Sequence, residues 1–211
     1  MPVKNGEKYL KEAIQGIKKQ KMNVEIIIVN DGSTDSTEQI AKEMGCIVIN
    51  HAQSRGQVVA KNTGLKYAHG EYTMFHDGDD IMNDDVLEVL YYTLEVDPSI
   101  VAVMGKIKDF ISPDCEKLQE NTIKLEPYYG LFTGAVLMRH NLFDTIGLFN
   151  ENVHTGEIIE WENKIRQHHL MMKKIDLVTT NRRIHDNNFG KTHRNTEFQN
   201  YAHILRQKLK K

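Results

Sequence analysis

The sequence predicts a single α/β domain, with a mostly parallel, mixed sheet flanked by helices on both faces. Short, nearly continuous apolar runs alternate with segments of helical periodicity through the first half of the chain. Such runs are typical of strands buried on both faces, and their alternation with helices favours parallel pairing. No repeat, linker or shift of composition divides the 211 residues, a length sufficient for one core.

Apolar spacing and helix-ending residues define the elements of the first half. Gly45 is a natural residue for ending a helix, and another helix must end before Pro98. The predicted helices cover 6–19, about 33–45, 57–68 and a segment that begins at Asn83 or Asp84 and ends before Pro98. The predicted strands cover 24–29, 46–49, 72–75 and 100–104.

The second half is less regular. We expect a strand near 106–111, a turn-rich stretch near 112–130, helices near 139–146 and 157–172, strands near 174–185 and a final amphipathic helix near 195–209. No position in this half carries the features of a domain boundary. We therefore expect residues 1–211 to form one domain.

Composition restricts the partners and the compartment. The formal net charge is −2, which argues against a nucleic acid partner. The two cysteines, Cys46 and Cys115, form no CxxC motif and predict free thiols in a reducing compartment. No apolar run is long enough to span a bilayer, and no apolar leader is visible at the N-terminus. These features predict a cytoplasmic protein.

The end of the chain is basic, with lysines at 208, 210 and 211 following Arg206. A solvated helix end is the favoured interpretation of this tail. Peripheral association with the inner face of the membrane is the alternative, because basic helices also bind anionic lipid surfaces.

Two acidic clusters directly follow predicted strands. Residues 30–33 (NDGS) follow the strand at 24–29, and residues 77–80 (DGDD) follow the strand at 72–75. In open α/β sheets, ligands bind at the carboxyl ends of the strands. Three carboxylates in four residues repel one another unless a cation lies beside them, and an Asp-x-Asp pair can offer two oxygens to one hard cation. We therefore favour a metal site at 77–80 over a solvated acidic loop that caps the next helix.

Four motifs follow one another in a specific order. Residues 2–10 read PVKNGEKYL and residues 25–35 read EIIIVNDGSTD; Gly56 precedes AKNTG at 60–64, and residues 70–80 read GEYTMFHDGDD. This series resembles family 2 glycosyltransferases, whose motifs are P-x-y-N-x-x-x-x-L, E-I-I-V-V-D-D-G-S-x-D, G-x-x-x-A-R-N-x-G and G-x-Y-x-x-F-x-D-x-D-D. The resemblance implies a GT-A fold, with 1–100 as the nucleotide-sugar-binding half and 101–211 as the acceptor-side half.

The resemblance also implies the donor and metal sites. Six residues would bind the donor: Pro2, Asn5, Asp31, Arg55, Lys61 and Asp77. Asp31 would contact the nucleotide base, while Asp77 would face the ribose or sugar and join Asp79 in holding Mg²⁺ or Mn²⁺. His185 lies in a segment that looks like the family's R-x-H and would be a further metal or diphosphate ligand. For Lys61, a position on a helix surface is the alternative.

Three departures from the family pattern affect these expectations. Met1 directly precedes Pro2, where the family has an apolar central strand, so we expect that strand to be missing from this sequence. Asn30 stands where the family commonly has Asp, and Lys61 stands where it commonly has Arg. Both replacements keep hydrogen-bonding capacity, but they weaken any inference about the nucleotide.

The resemblance places the catalytic base at the start of the helix near 157–172. An inverting transfer needs a carboxylate that takes the proton of the acceptor hydroxyl. The family usually has a Glu-Asp pair here, and Ile158 replaces the Asp. Glu157 is the favoured base, and Glu160 is the alternative because it lies three residues further on the same side of the helix.

The resulting hypothesis is a metal-dependent inverting glycosyltransferase. It would move a sugar from a nucleotide-diphosphate sugar, with a UDP-sugar favoured, to a hydroxyl of a glycan or lipid-linked acceptor. Ile158 and the missing strand leave open a non-catalytic module that binds a nucleotide or glycan. A sugar nucleotidyltransferase ranks lowest, because the sequence lacks the basic, glycine-rich G-x-G-x-R loop of that class.

Overall fold

The computed structural model describes residues 1–116, 123–130, 132–153 and 156–188. Within them, the first sheet has three parallel strands in the order β1-β2-β3. Its strands are β1 Pro2–Val3, β2 Ile27–Asp31 and β3 Ile47–His51. Helices α1 (Leu10–Lys18) and α2 (Thr37–Glu43) connect them. All five residues of β2 are buried, as expected for a strand covered on both faces.

The second sheet has five strands in the order β4-β7-β6-β8-β5. Its strands are β4 Tyr72–Met74, β5 Ile81–Met82, β6 Ile100–Ile111, β7 Val136–Arg139 and β8 Met171–Ile184. The β6–β8 pair is parallel, and the β4–β7, β6–β7 and β5–β8 pairs are antiparallel. This sheet is therefore mixed, and parallel pairing dominates only in the first sheet.

Four more helices pack on the sheets: α3 Gln57–Tyr67, α4 Val86–Val96, α5 Leu142–Ile146 and α6 Glu157–Gln167. Each places apolar side chains at helical spacing in the core; α4, for example, buries Leu87, Leu90 and Leu94. Among the described residues, no helix has both the length and the apolar character needed to cross a membrane.

The observed elements agree with most of the predicted ones. The predicted strands at 100–104 and 106–111 form one continuous strand, β6. Strand β7, at 136–139, was not predicted; it is short, and three of its four residues are buried, so no alternation marks it. Helix α6 ends at Gln167 rather than near 172, because β8 begins at Met171. The predicted helix at 195–209 lies outside the described residues.

Strand β1 consists of two residues of the opening motif. Pro2 and Val3 pair in parallel with Val29 and Asn30 of β2. A cavity of about 250 Å³ lies beside Met1. Its lining includes residues 24–27, directly before and at the start of β2, and residues 72–76, in β4 and directly after it. The cavity is therefore lined by residues of both sheets.

Asn62 connects the two halves of the chain through its side-chain amide. Its Nδ2 donates to the carbonyl of Phe149 at 2.9 Å, and its Oδ1 accepts from the N–H of Phe149 at 3.0 Å. Asn62 is 2% exposed. Without Asn62, the backbone N–H and carbonyl of Phe149 would each lose a buried hydrogen-bond partner. Asn62, in the A-K-N-T-G motif, therefore has a structural role.

Replacing Asn62 by Ala should lower the free energy of unfolding by about 1–3 kcal/mol, since buried partners are left without hydrogen bonds. Urea unfolding at neutral pH measures this. Gln15→Ala, which removes an exposed amide from α1, is the control and should change stability by less than about 0.5 kcal/mol. Equal stability of the two variants would contradict a structural role for Asn62.

Candidate donor, metal and base site

The two acidic clusters lie at the ends of β2 and β4, as predicted. Asp31 is the last residue of β2, and the turn 77–80 follows β4. This turn packs against β1, since a Cβ added at Gly78 would lie 3.0 Å from a methyl carbon of Val3. The end of β1 thus brings the second acidic cluster beside the first sheet.

Asp31 accepts hydrogen bonds from four donors. Its Oδ1 bonds His51 Nδ1 at 2.7 Å and the N–H of Arg55 at 2.8 Å. Its Oδ2 bonds Ser54 Oγ at 2.8 Å and the N–H of Gly56 at 2.9 Å. Burial opposes ionisation, but these hydrogen bonds outweigh it and lower the pKa of Asp31. A nucleotide base that bonded to Asp31 would have to replace or share one of these donors.

The loop at 51–56 is held close to the end of β2. Gly32 has φ +70°, and a Cβ at this position would meet the backbone nitrogen of Ser54 at 2.6 Å. Only glycine combines this backbone conformation with such a close approach. The glycine of the NDGS cluster therefore allows the loop to cover Asp31.

Pro2, Asn5 and Arg55 surround the same strand ends. Asn5 bridges to the loop after β2: its N–H donates to Ser33 Oγ, and its Oδ1 accepts from the N–H of Thr34, both at 2.9 Å. Pro2 lies in β1. Arg55 is exposed, and its backbone N–H, rather than its guanidinium, bonds Asp31.

Asn30 has a structural reason to differ from the family's Asp. Its Nδ2 donates to Asn50 Oδ1 at 2.8 Å, and its Oδ1 accepts from the N–H of Ser33 at 3.2 Å. An ionised Asp could accept from Ser33 but could not donate to Asn50. The amide at position 30 therefore fits its neighbour on β3.

The second cluster groups three carboxylates. Asp77, Asp79 and Asp80 each offer an oxygen within 4.8 Å of the others. Burial raises the pKa of Asp77 to about 6, despite the charge of Lys61, and Asp79 adds to the rise. Burial and the charges of Asp79 and Asp77 also raise the pKa of Asp80. A divalent cation would remove this repulsion, so the set of hard oxygen donors fits Mg²⁺ or Mn²⁺.

His185 lies against this cluster. Its Nε2 is 2.9 Å from Asp79 Oδ2, and its Nδ1 is 3.2 Å from the N–H of Asn187. Because Nδ1 accepts from that N–H, the neutral ring carries its proton on Nε2 and donates it to Asp79. In this tautomer, His185 orients a carboxylate that could bind a metal.

Glu157 and Lys61 form a buried ion pair. Lys61 Nζ donates to Glu157 Oε1 and to Thr133 Oγ1, the latter at 2.9 Å. The side chains of Lys61 and Glu157 are 4% and 7% exposed. Burial opposes the charge of Lys61, but Glu157 and Asp77 outweigh it and raise the pKa of Lys61. Lys61 therefore lies in the interior of the site, and its ammonium is shared between acidic groups of both halves.

Glu160 is directed elsewhere. It accepts from Asn150 Nδ2 at 3.1 Å and lies 3.9 Å from Lys164. Ile158, at the position of the family's Asp, is 3% exposed and belongs to the hydrophobic core. Of the acidic side chains at the start of α6, Glu157 is thus the one that pairs with Lys61, whose charge also interacts with Asp77.

The structure adds residues that sequence reasoning did not assign. Asp80 joins the acidic cluster, and His51 binds Asp31. His51 ends β3 directly opposite Asp31, so the rule that ligands lie at strand ends could have identified it. Thr133 belongs to the segment 133–135, which resembles the family's small-residue loop, but its contact with Lys61, 72 residues away, is not visible in the sequence.

The buried ion pair leads to a stability prediction. Lys61→Met should lower the free energy of unfolding by about 3–5 kcal/mol, since it leaves Glu157 buried and unpaired. The double variant Lys61→Met/Glu157→Leu should lose less than Lys61→Met alone, and urea unfolding of the four proteins of the cycle measures the coupling. Losses that simply add would show that the two side chains do not interact.

Comparison with known proteins places the chain among glycosyltransferases. The model of the family described as glycosyl transferase family 2 matches residues 1–150. Glycosyltransferase GlyA of Streptococcus pneumoniae is 33% identical over 150 residues, which are 69% of this chain and 21% of GlyA. The minor teichoic acid biosynthesis protein GgaB of Bacillus subtilis is 42% identical over 96 residues, which are 42% of this chain and 11% of GgaB. The chain therefore spans only part of the length of these relatives.

Solved structures show the same fold. TarS 1-349 of S. aureus, in complex with UDP-GlcNAc, has a TM-score of 0.69 at 21% identity, covering 89% of this chain and 58% of that one. The mannosyltransferase PcManGT of Pyrobaculum calidifontis, in complex with GDP-Man and Mn²⁺, has a TM-score of 0.72 at 16% identity, covering 100% and 63%. These likenesses confirm the predicted GT-A-like α/β domain. With a family model that matches residues 1–150, the chain belongs to glycosyl transferase family 2.

Proposed function

We propose that this chain carries out metal-dependent, inverting transfer of a sugar from a nucleotide-diphosphate sugar to an acceptor hydroxyl. The observation that carries the proposal is the meeting, around Lys61, of the acidic turn at 77–80 with Glu157 from the other half of the chain. A donor-side cation site and an acceptor-side carboxylate are the two parts that such a reaction requires.

A UDP-sugar is the favoured donor. The structures of similar fold include TarS in complexes with UDP and with UDP-GlcNAc, and PcManGT in complex with GDP-Man. In this chain, Pro2, Asn5 and Asp31 would form the nucleotide pocket, and the exposed guanidinium of Arg55 would contact the charged groups of the donor. Asp77 would face the ribose or the sugar.

Asp77 and Asp79 would hold Mg²⁺ or Mn²⁺, with His185 beside them. The cation would supply positive charge to the diphosphate leaving group. Support comes from the grouped carboxylates and from the Mn²⁺ in the PcManGT complex. Lys61 is buried between Glu157 and Asp77, so its role would be to position these side chains rather than to bind the donor directly.

Glu157 would accept the proton of the acceptor hydroxyl. Glu157 is favoured over Glu160 because it shares Lys61 with Asp77 of the acidic turn, whereas Glu160 is bonded to Asn150. The acceptor would be a glycan or a lipid-linked molecule, in keeping with the similarity to the minor teichoic acid biosynthesis protein GgaB. Action in the cytoplasm, at the inner face of the membrane, would suit such an acceptor, but the basic tail lies outside the described residues.

A non-catalytic nucleotide- or glycan-binding module is the second candidate. Two observations favour it: Ile158 is buried where the family has Asp, and the carboxylate of Glu157 is engaged by Lys61. Membership of glycosyl transferase family 2 leaves the sugar nucleotidyltransferase alternative without support.

The metal assignment is tested by Asp79→Ala. Wild-type protein should bind UDP more tightly with Mn²⁺ than without it, and Asp79→Ala should lose this difference while still binding uridine, because the base pocket is intact. Isothermal titration calorimetry measures both ligands. Asp84→Ala, which removes an exposed carboxylate after the turn, is the control. An unchanged Mn²⁺ effect in Asp79→Ala would refute the assignment.

The base assignment is tested by comparing Glu157→Gln with Glu160→Gln. Loss of general-base help should lower turnover by about 10²–10⁴-fold in Glu157→Gln, with UDP binding near normal. Release of UDP from a panel of UDP-sugars and acceptors is the measurement, and thermal unfolding checks that each variant is folded.

Glu160→Gln serves as the matched control and should lose much less activity. The roles would be reversed if Glu160→Gln were the inactive variant, and the base would lie elsewhere if both stayed active. Wild-type protein that bound UDP and Mn²⁺ but released no UDP with any donor would favour the non-catalytic candidate.

A further inference from the structure

Arg183, on β8, is a buried cation, and each nitrogen of its guanidinium contacts another group of the protein. The residue is 5% exposed. Its Nε donates to the carbonyl of Asp79 at 2.8 Å, and its Nη1 lies 3.4 Å from Ser112 Oγ. Its Nη2 donates to Glu12 Oε2 of α1. The guanidinium therefore joins α1, the segment after β6 and the acidic turn.

The backbone of Arg183 holds the same turn at a second point. Its N–H donates to Asp80 Oδ1 at 2.9 Å, and Asp80 is 2% exposed. Asp79 and Asp80 are thus bonded to one residue that lies more than 100 positions later in the chain. A turn that carries three carboxylates is fixed to a strand rather than left free.

Aromatic rings hold the guanidinium in place. The guanidinium carbon lies 4.6 Å from the centre of the Tyr9 ring and 4.7 Å from that of Phe110, both within the range of cation–π attraction. The ring of Tyr9 also lies 4.9 Å from the ring of His185. We call these four residues, Phe110, Arg183, Tyr9 and His185, the stack.

The stack contacts Asp79 through two of its members. Arg183 donates to the Asp79 carbonyl, and His185 donates to its carboxylate at 2.9 Å. The backbone carbonyl and the carboxylate of Asp79 therefore both accept a hydrogen bond from the stack. Partners that orient a metal ligand in this way typically change metal affinity by about 10–100-fold when they are removed.

We propose that Arg183 is a positioning residue that holds Asp79 ready for a metal ion, and that it is not a ligand for the diphosphate. The proposal rests on the proposed function in one respect, since it takes Asp79 as the metal ligand. The planar guanidinium suits this position because it stacks between two rings while it donates in several directions. A lysine keeps the charge but lacks the planar, five-donor fork that contacts both rings while it donates to three separate groups.

Arg183→Lys tests the proposal, with Arg182→Lys as the matched control. Arg182 is the preceding residue, and its Nε and Nη2 lie 3.0 and 3.1 Å from the carboxylate of Asp109. Both variants keep the charge. Two quantities are measured: hydrogen exchange of a peptide covering 77–83 without metal, and Mn²⁺ affinity, from the free-Mn²⁺ signal in electron paramagnetic resonance.

Arg183→Lys should exchange faster at 77–83 and bind Mn²⁺ about 10–100-fold more weakly, and Arg182→Lys should do neither. Unchanged exchange in Arg183→Lys overturns the proposal, as does unchanged Mn²⁺ affinity. If wild-type protein does not bind Mn²⁺, the metal assignment fails separately, and exchange alone decides whether Arg183 positions the turn.

A second pair of variants decides the question if Arg183→Lys does not fold. Tyr9→Leu removes the ring from the stack, whereas Tyr9→Phe keeps the ring and loses only the hydroxyl that bonds Asp114. Tyr9→Leu should behave as expected for Arg183→Lys, and Tyr9→Phe should stay close to wild type in both measurements. Equal behaviour of the two Tyr9 variants would contradict the role of the stack.

Discussion

The placement of the site depends on one buried cation, Lys61. An ammonium without partners in the interior would be costly, so it requires carboxylates nearby. Glu157 supplies one from the start of α6, and Asp77 supplies another from the end of β4. The requirement to neutralise Lys61 thus holds the second half of the chain against the first. Glu157 is therefore held by a buried ion pair rather than left in a surface loop.

The carboxylates of the site differ in their burial and in the hydrogen bonds that they accept from the protein. The more buried ones help to build the site, and the less buried ones can bind a cation. Asp31 accepts from four donors, His51 at the end of β3 and three residues after it, and Asp80 is buried and accepts from β8. Asp77 and Asp79 are less buried than either. Asp77 lies near the charge of Lys61, and Asp79 accepts from His185, so both carboxylates keep further acceptor positions that a cation would occupy.

Local patterns were sufficient for most of the fold. The apolar runs at 24–29 and 72–75 correspond to β2 and β4, and the helical spacing at 57–68 corresponds to α3. Each was predictable because it depends on the pattern of side chains within one segment. Strand β7 carried no such pattern. Its place between β4 and β6 depends on backbone pairing with distant residues, which periodicity does not encode.

The sequence by itself determined the family, the order of the acidic motifs and the strand ends on which they lie, because these depend on residues close together in the chain. Only the tertiary structure decided which groups meet. Lys61 and Glu157 are 96 positions apart, and Asp79 and His185 are 106 apart. The packing of the helices decides whether Lys61 faces solvent or a carboxylate. It also decides that Glu157, and not Glu160, pairs with Lys61. Packing is a property of the whole core, and no short segment contains it.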